Sequence, residues 1–282
     1  MRAPPRVPVR ALGACLLLSL AVGGCQESGF DESKETARPL KVQHVLGESK
    51  VPGQAEEPMT MTLDTLDDTL ALGVRPVRAA VPGAELPGYL RSAAGGVQLM
   101  RPVREGDLPA VEAADPDLLL GDEPGQGRLY EDLSRIAPTV IVDGAGGQWK
   151  LNLRLVGEGL GRTNDAEQLL TDYDAEAFRA RGAIAGKPRV AVARLAGDGL
   201  RLAKRDSFAG TILADAGVTQ VTSSAPDERI DVVLLSGPKT ADRAVRALDG
   251  RSERVDEALW WGSGGSLAGK AALADLQRAL AG

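Results

Sequence analysis

Residues 149–185 run for about 37 positions without a strand signal. On both sides of them, short apolar runs alternate with helical patterns. Alternation of that kind predicts parallel α/β units. Two such sets separated by a helical stretch predict two α/β lobes joined by one element. Within the stretch, Leu151, Leu155, Val156 and Leu160 follow helical spacing and Gly161 ends the piece. Asn164 or Asp165 then caps a second helix, with Leu169, Leu170, Tyr173, Ala177 and Phe178 recurring at three and four residues. From 164 to 185 that helix is about 33 Å long at 1.5 Å per residue, longer than a crossover needs and enough to join two lobes.

The first set places strands at residues 59–63, 76–80, 117–120 and 139–142. Helices are expected at 65–72, 108–114 and 129–136, the first capped by Asp64 or Thr65 and stopped by Gly73. The second set places strands at 188–195, 200–203, 218–222, 231–235 and 255–259. Helices are expected there at 207–216, 240–248 and 267–280. The expected division is an N-terminal lobe at residues 40–148, a helical connector at 149–186 and a C-terminal lobe at 187–282.

Arg2, Arg6 and Arg10 precede an apolar run over residues 11–22, too short to span a bilayer and typical of a secretory signal. The run ends Val22-Gly23-Gly24-Cys25, which resembles the lipobox of bacterial lipoproteins. That resemblance implies cleavage of residues 1–24 and acylation of Cys25. The protein would then be anchored outside the cytoplasmic membrane by lipid, with residues 25–39 as a flexible tether. Cys15 leaves with the signal, so the mature chain has no thiol to pair. Loss of three Arg leaves 30 basic against 39 acidic residues, a balance that argues against nucleic acid.

Several stretches, in order, resemble the iron–siderophore substrate-binding lipoproteins of ABC importers. His44-x-x-Gly47, Val51-Pro52, Pro58 and the stretch 63–73 with Pro76 are similar to the family's opening. Pro116-Asp117-Leu118-Leu119-Leu120 and Ile136-Ala137-Pro138-Thr139-Val140 resemble two of its strands. Phe208-Ala209-Gly210, Ile212-Leu213, Asp215 and Gly217 resemble a second-lobe helix, and Trp261, Gly265, Ala268 and Asp275-Leu276 its last loop and helix. The resemblance implies two Rossmann-like lobes on one rigid helix, a ligand cleft between them, no catalysis and no cofactor. The implied ligand is a ferric siderophore chelate, the implied partner an ABC permease, and a monomer is expected. A cobalamin or heme receptor of the same fold is the alternative ligand reading. A structural or signalling lipoprotein that no longer serves transport is the alternative from another class. Two positions depart from the family: Pro109 and Thr211 stand where it carries permease-docking glutamates, with Glu112 and Asp215 one turn away. Met59-Thr60 also stands where an Arg before the first strand is usual.

In open parallel sheets ligands bind beyond the carboxyl ends of strands. That rule selects the loops 81–104 (Tyr89, Arg91, Arg101, Arg104), 121–128 and 143–149 (Trp149). In the second lobe it selects Arg194, Lys239 and the pair Trp260-Trp261. Arg pairs with chelate oxygens through its forked donors, and Trp and Tyr offer flat apolar area. Arg194, at the end of an apolar strand, must reach a partner or a wet cleft. Of two adjacent Trp in an extended segment, one packs inward and one faces the cleft. The candidate ligand-binding residues are Tyr89, Arg101, Arg104, Trp149, Arg194, Trp260 and Trp261.

His44 is the chain's one histidine, too few for a zinc or manganese site of several His, and no G-x-S-x-G is present to use it as a base. Gly264-x-x-x-x-Gly269-Lys270 imitates a phosphate loop, but Ala271 lacks the hydroxyl for Mg²⁺; it reads as a helix start. Gly157-x-Gly159-x-Gly161 has the wrong spacing for a dinucleotide loop.

Overall fold

A computed structural model describes residues 38–281 apart from 84, 198, 224, 226–227, 239–247, 249 and 263. The expectations for Cys25, residues 1–37, Lys239 and most of the helix at 240–248 lie outside the described residues. The described residues form one compact unit.

Among the described residues the unit holds a two-stranded hairpin and two five-stranded sheets. Strands β1 (Leu40–His44) and β2 (Gly47–Val51) make an antiparallel hairpin. The first sheet has the order β5-β4-β3-β6-β7, all parallel. Its strands are β3 (Pro58–Thr60), β4 (Arg78–Ala80), β5 (Gln98–Met100), β6 (Leu118–Asp122) and β7 (Thr139–Val142). The hairpin lies against the β7 edge, where Val45 N donates to Ile141 O and Ser49 Oγ to Thr139 O. The second sheet runs β10-β8-β11-β12 in parallel, with β9 antiparallel on β8. Its strands are β8 (Arg189–Ala196), β9 (Gly199–Leu202), β10 (Thr219–Gln220), β11 (Val232–Ser236) and β12 (Arg251–Arg254).

Two helices join the sheets. The first, Trp149–Gly159, buries Leu153, Val156 and Leu160 and leaves Leu151 exposed. The second, Thr163–Ala183, is the long connector. It buries Ala166, Leu170, Tyr173, Ala177 and Ala180, while Phe178 is 75% exposed. Alanines at 166 and 180 take up the stripe that an apolar count assigns to Leu169 and Phe178. Gly161 turns the chain between the two helices at φ +69, and a Cβ there would meet the Gly53 carbonyl oxygen at 2.1 Å. Glycine is thus required twice over, by a left-handed backbone and by contact.

The core crosses both lobes without a break. One cluster of buried side chains includes Val42, Leu118 and Val140 from the first sheet, Tyr173 from the connector, and Val190, Leu234 and Leu276 from the second lobe. Lobes that share a packed core and a helical connector have little freedom to hinge.

Some elements differ from expectation. The first helix is Leu63–Ala71, capped by Thr62 in a reciprocal pair with Thr65; Asp64 sits in its first turn. The hairpin and β5 lack a long enough apolar run to stand out in the sequence. The expected strand at 255–259 is a helix, Glu257–Trp261, started by the Asp256 carboxylate accepting from Ala258 N at 2.8 Å. The strand of that region is β12, Arg251–Arg254, whose charged sequence hides it.

Candidate functional site

The strand orders create a switch point in each lobe. In the first sheet the chain leaves β3 toward one side and β6 toward the other, so a crevice opens beyond their carboxyl ends. In the second sheet β8 and β11 are the corresponding neighbours, with Arg194 opposite Ser236. A cavity of about 540 Å³ lies beyond these strand ends, lined from both lobes.

The first lobe supplies its wall from five strand ends. Met61, Thr62, Leu63 and Asp64 follow β3, Ala80 ends β4 with Val81 and Pro82 after it, and Pro102 follows β5. Asp122, Pro124, Gly125 and Gln126 follow β6, while Gly144 and Gly146 follow β7. The second lobe adds Ala203, Ser207 and Phe208, then Trp260, Trp261, Gly262 and Gly264. Most of this lining is apolar or aromatic, with polar groups at a few fixed points, the usual form of a small-molecule site.

Those polar groups are held by helix caps. The Asp122 carboxylate accepts from Gly125 N at 2.7 Å, and Gln126 Oε1 accepts from Asp122 N at 3.0 Å. Ser207 Oγ accepts from Gly210 N at 3.2 Å and donates to Lys204 O at 2.6 Å. Burial pushes the Asp64 carboxyl above the usual range against a hydrogen bond from Thr62, and the Asp122 charge adds to the rise. Asp122 is raised too, chiefly by burial.

The expected site residues divide. Trp260 is buried at 2% exposure, lines the cavity and donates from Nε1 to Asp275 Oδ2 at 2.8 Å. Trp261 is half-buried and also lines the cavity. They diverge because successive helical residues point about 100° apart, and not because an extended segment alternates. Arg194 is outside the lining. Its guanidinium carbon sits 4.6 Å over the Trp261 ring, and Nη1 lies 3.6 Å from Glu257 Oε1.

Trp149 is buried in the core, edge-on to Tyr173 at 4.8 Å and to Phe208 at 6.4 Å. Tyr89 packs half-buried between two clusters of the core and is outside the lining. Arg101 and Arg104 are exposed; Arg101 pairs with Asp107 at 3.7 Å. Loop 81–104 therefore presents Val81, Pro82 and Pro102 to the cavity in place of its cations. Arg91 donates to Leu86 O at 3.1 Å. Phe208, Ser207, Thr62 and Asp64 are lining residues that spacing alone misses. Their signal is positional, at or beside the N-cap of a helix that follows a strand.

His44 has a local role. Its Nδ1 accepts from Leu46 N at 3.2 Å, and Nε2 lies 3.0 Å from Ser49 Oγ and 3.2 Å from Tyr130 Oη. Burial lowers its pKa. Among the described residues no three His, Cys, Asp or Glu side chains are grouped to hold a metal. Of the two departures, Pro109 is exposed in the short helix Leu108–Glu112, and Thr211 donates to Ser207 O at 3.2 Å. Asp215 is engaged inside the fold by Lys150 at 3.0 Å and by the Tyr173 hydroxyl at 3.0 Å.

Residues 60–249 match the model of the family described as periplasmic binding protein. The chain is 26% identical over 209 residues to the probable siderophore-binding lipoprotein YfiY of Bacillus subtilis, covering 72% of this chain and 64% of that protein. It is 28% identical over 167 residues to the achromobactin-binding periplasmic protein of Dickeya dadantii, covering 56% and 54%. It therefore spans between half and two thirds of these relatives. Among solved structures, SirA of Staphylococcus aureus complexed with staphyloferrin B superposes with a TM-score of 0.73 at 22% identity, over 86% of this chain and 98% of that one. The petrobactin-binding protein YclQ of Bacillus subtilis gives 0.69 at 18% identity, over 86% and 99%. These two structures share its fold.

Proposed function

The chain belongs to the periplasmic binding protein family, and on that premise we propose that it captures a ferric siderophore and delivers it to an ABC import permease. The observation that carries this reading is the interlobe cavity. It is large enough to enclose much of a chelate, it is walled by Trp260, Trp261 and Phe208, and it sits at the switch points of both sheets. The relatives named above for siderophores support it. Iron arrives already chelated, so the protein need supply no metal ligand, only a surface that fits the organic shell. In this reading residues 40–148 and 187–282 are the two lobes, 149–186 is the connector, and the protein works as a monomer that catalyses nothing.

Permease docking then uses other groups than the family's usual two glutamates. Asp215 is occupied by Lys150 and Tyr173, whereas Glu112 is exposed beside Pro109 and free to meet a cationic partner.

The direct test is titration of intrinsic fluorescence with a panel of ferric siderophores, with cobalamin and heme beside them. Ferric chelates absorb strongly and should quench the indoles at the cavity saturably. Response to cobalamin or heme alone would replace the ligand and keep the fold.

The motif ending at Cys25 supports a lipid anchor on the outer side of the cytoplasmic membrane. Cys25→Ser is expected to move the protein from membrane to soluble fractions, read by fractionation and immunoblot. A variant that stays with the membrane would refute the anchor.

A further inference from the structure

The charge of the cavity wall narrows the ligand class. Among the described residues that line it there is no Lys, Arg or His, and there are two carboxylates, Asp64 and Asp122. Among the described residues, the cations flanking the lining do not reach into it. Arg194 lies over Trp261 and pairs with Glu257, while Lys204 and Arg205 are exposed beyond Ala203.

Two features oppose an acidic wall, and their size decides the matter. The helices Leu63–Ala71 and Phe208–Asp215 begin at the cavity, and each N-terminus acts as roughly half a positive charge. Two carboxylates outweigh two half charges. One of those N-termini already has Asp64 in its first turn, and the other is capped by Ser207 Oγ on Gly210 N. With both carboxyls ionised, the described lining is net negative before any ligand enters.

Resting on the siderophore reading, we propose that the cavity selects ferric chelates of positive or zero net charge, such as tris-hydroxamates with a free ammonium arm, and rejects polyanionic catecholate and citrate-type chelates. An ammonium arm seated between Asp64 and Asp122 would offset the repulsion between the two carboxyls. The apolar remainder of the wall would cover the hydrocarbon of the chelate. Like charges brought together in a desolvated site cost several kcal/mol, so a trianionic chelate should bind at least about 100-fold more weakly than a cationic one.

The experiment compares three iron-loaded probes on the full chain by calorimetry at low and moderate salt. One is a linear ferric tris-hydroxamate with an ammonium arm, one a neutral cyclic ferric tris-hydroxamate, and one a ferric tris-catecholate with three negative charges. The expected order is cationic, then neutral, then trianionic. Asp64→Asn and Asp122→Asn preserve shape and keep one accepting oxygen while removing the charge. Each should reduce the preference for the cationic over the trianionic probe by about 5–10-fold, with the variant still folding cooperatively. Tightest binding of the trianionic probe, or a preference unaltered in both variants, would overturn the charge assignment and leave the siderophore reading standing. Failure of all three probes would overturn both.

Discussion

Asp67→Ala is expected to destabilise the protein by about 2–5 kcal/mol and lower its melting temperature by about 5–15 °C. Asp67 and Asp68 lie fully buried on the helix Leu63–Ala71 of the first lobe. Both reach across to the start of the C-terminal helix, Ser266–Ala281. Asp67 accepts from Leu267 N at 2.7 Å and from Ala268 N at 2.9 Å; Asp68 accepts from Ser266 N at 2.9 Å. The first N–H groups of a helix have no partner within it. Here their acceptors come from some 200 residues away in the chain, so the cap is also a tie between lobes. Alanine at 67 would orphan two buried donors, each costing about 1–3 kcal/mol. Gly265 is part of the device, because a Cβ there would lie 2.4 Å from the Asp67 carboxyl carbon.

The same pair sets a pH dependence of definite sign. Burial pushes Asp67 up to about 7, and burial together with the Asp67 charge holds Asp68 well above the usual range. Both oxygens of Asp67 accept N–H groups, which favours its charged form, so the proton that the pair retains resides on Asp68. An acid whose folded pKa exceeds its unfolded one binds more protons in the fold. Its contribution is complete below the unfolded value near 4 and is lost as pH rises through the folded value. Urea midpoints should therefore fall between pH 5 and pH 8, and Asp68→Asn should flatten that slope. An Asp67→Ala protein as stable as the parent, or a midpoint that rises over the same interval, would show that the cap is not the tie described.

The architecture was legible where hydrophobic pattern and geometry coincide. Residues 139–142 are entirely apolar but for one Thr and form the strand expected, and the connector shows as a long helical stripe. Legibility failed where a polar interaction decides the element. Residues 251–254 form a strand on charged residues because β11 offers an open parallel edge. Residues 257–261 form a helix because Asp256 caps them. The site followed the same rule. The loops were identifiable from strand ends, but which side chain turns inward depends on caps such as Thr62, Asp122 and Ser207. Arg101 and Arg104 belong to a loop that reaches the cavity through Val81, Pro82 and Pro102. Arg194 ends the expected strand, yet its guanidinium is taken by Trp261 and Glu257. Asp67 and Asp68 gave no sign of their role, since their partners are backbone groups in the last helix.

Trp261→Ala is expected to weaken ligand binding by about 30-fold or more. Truncating a large aromatic at the centre of a site costs about 2 kcal/mol or more, and 1.4 kcal/mol is a factor of ten. Of the three Trp in the chain, Trp149 lies in the core and Trp260 is buried and tied to Asp275. Trp261 alone lines the cavity while keeping part of its ring exposed. Arg194 acts through it, stacking on the ring and restricting its rotation. A cation–π contact at a part-exposed site is worth about 0.5–1 kcal/mol, so Arg194→Ala should weaken binding by only about 2–5-fold. Trp261→Phe, which keeps a ring face, should bind within a few-fold of the parent while losing much of the quenching. These magnitudes distinguish two roles for Arg194. A positioning residue costs less than Trp261, and its effect disappears in the Trp261→Ala background. A residue that pairs with the ligand directly costs as much as Trp261 and adds to it in the double variant. Additive losses in that cycle would place the guanidinium on the ligand and refute its positioning role.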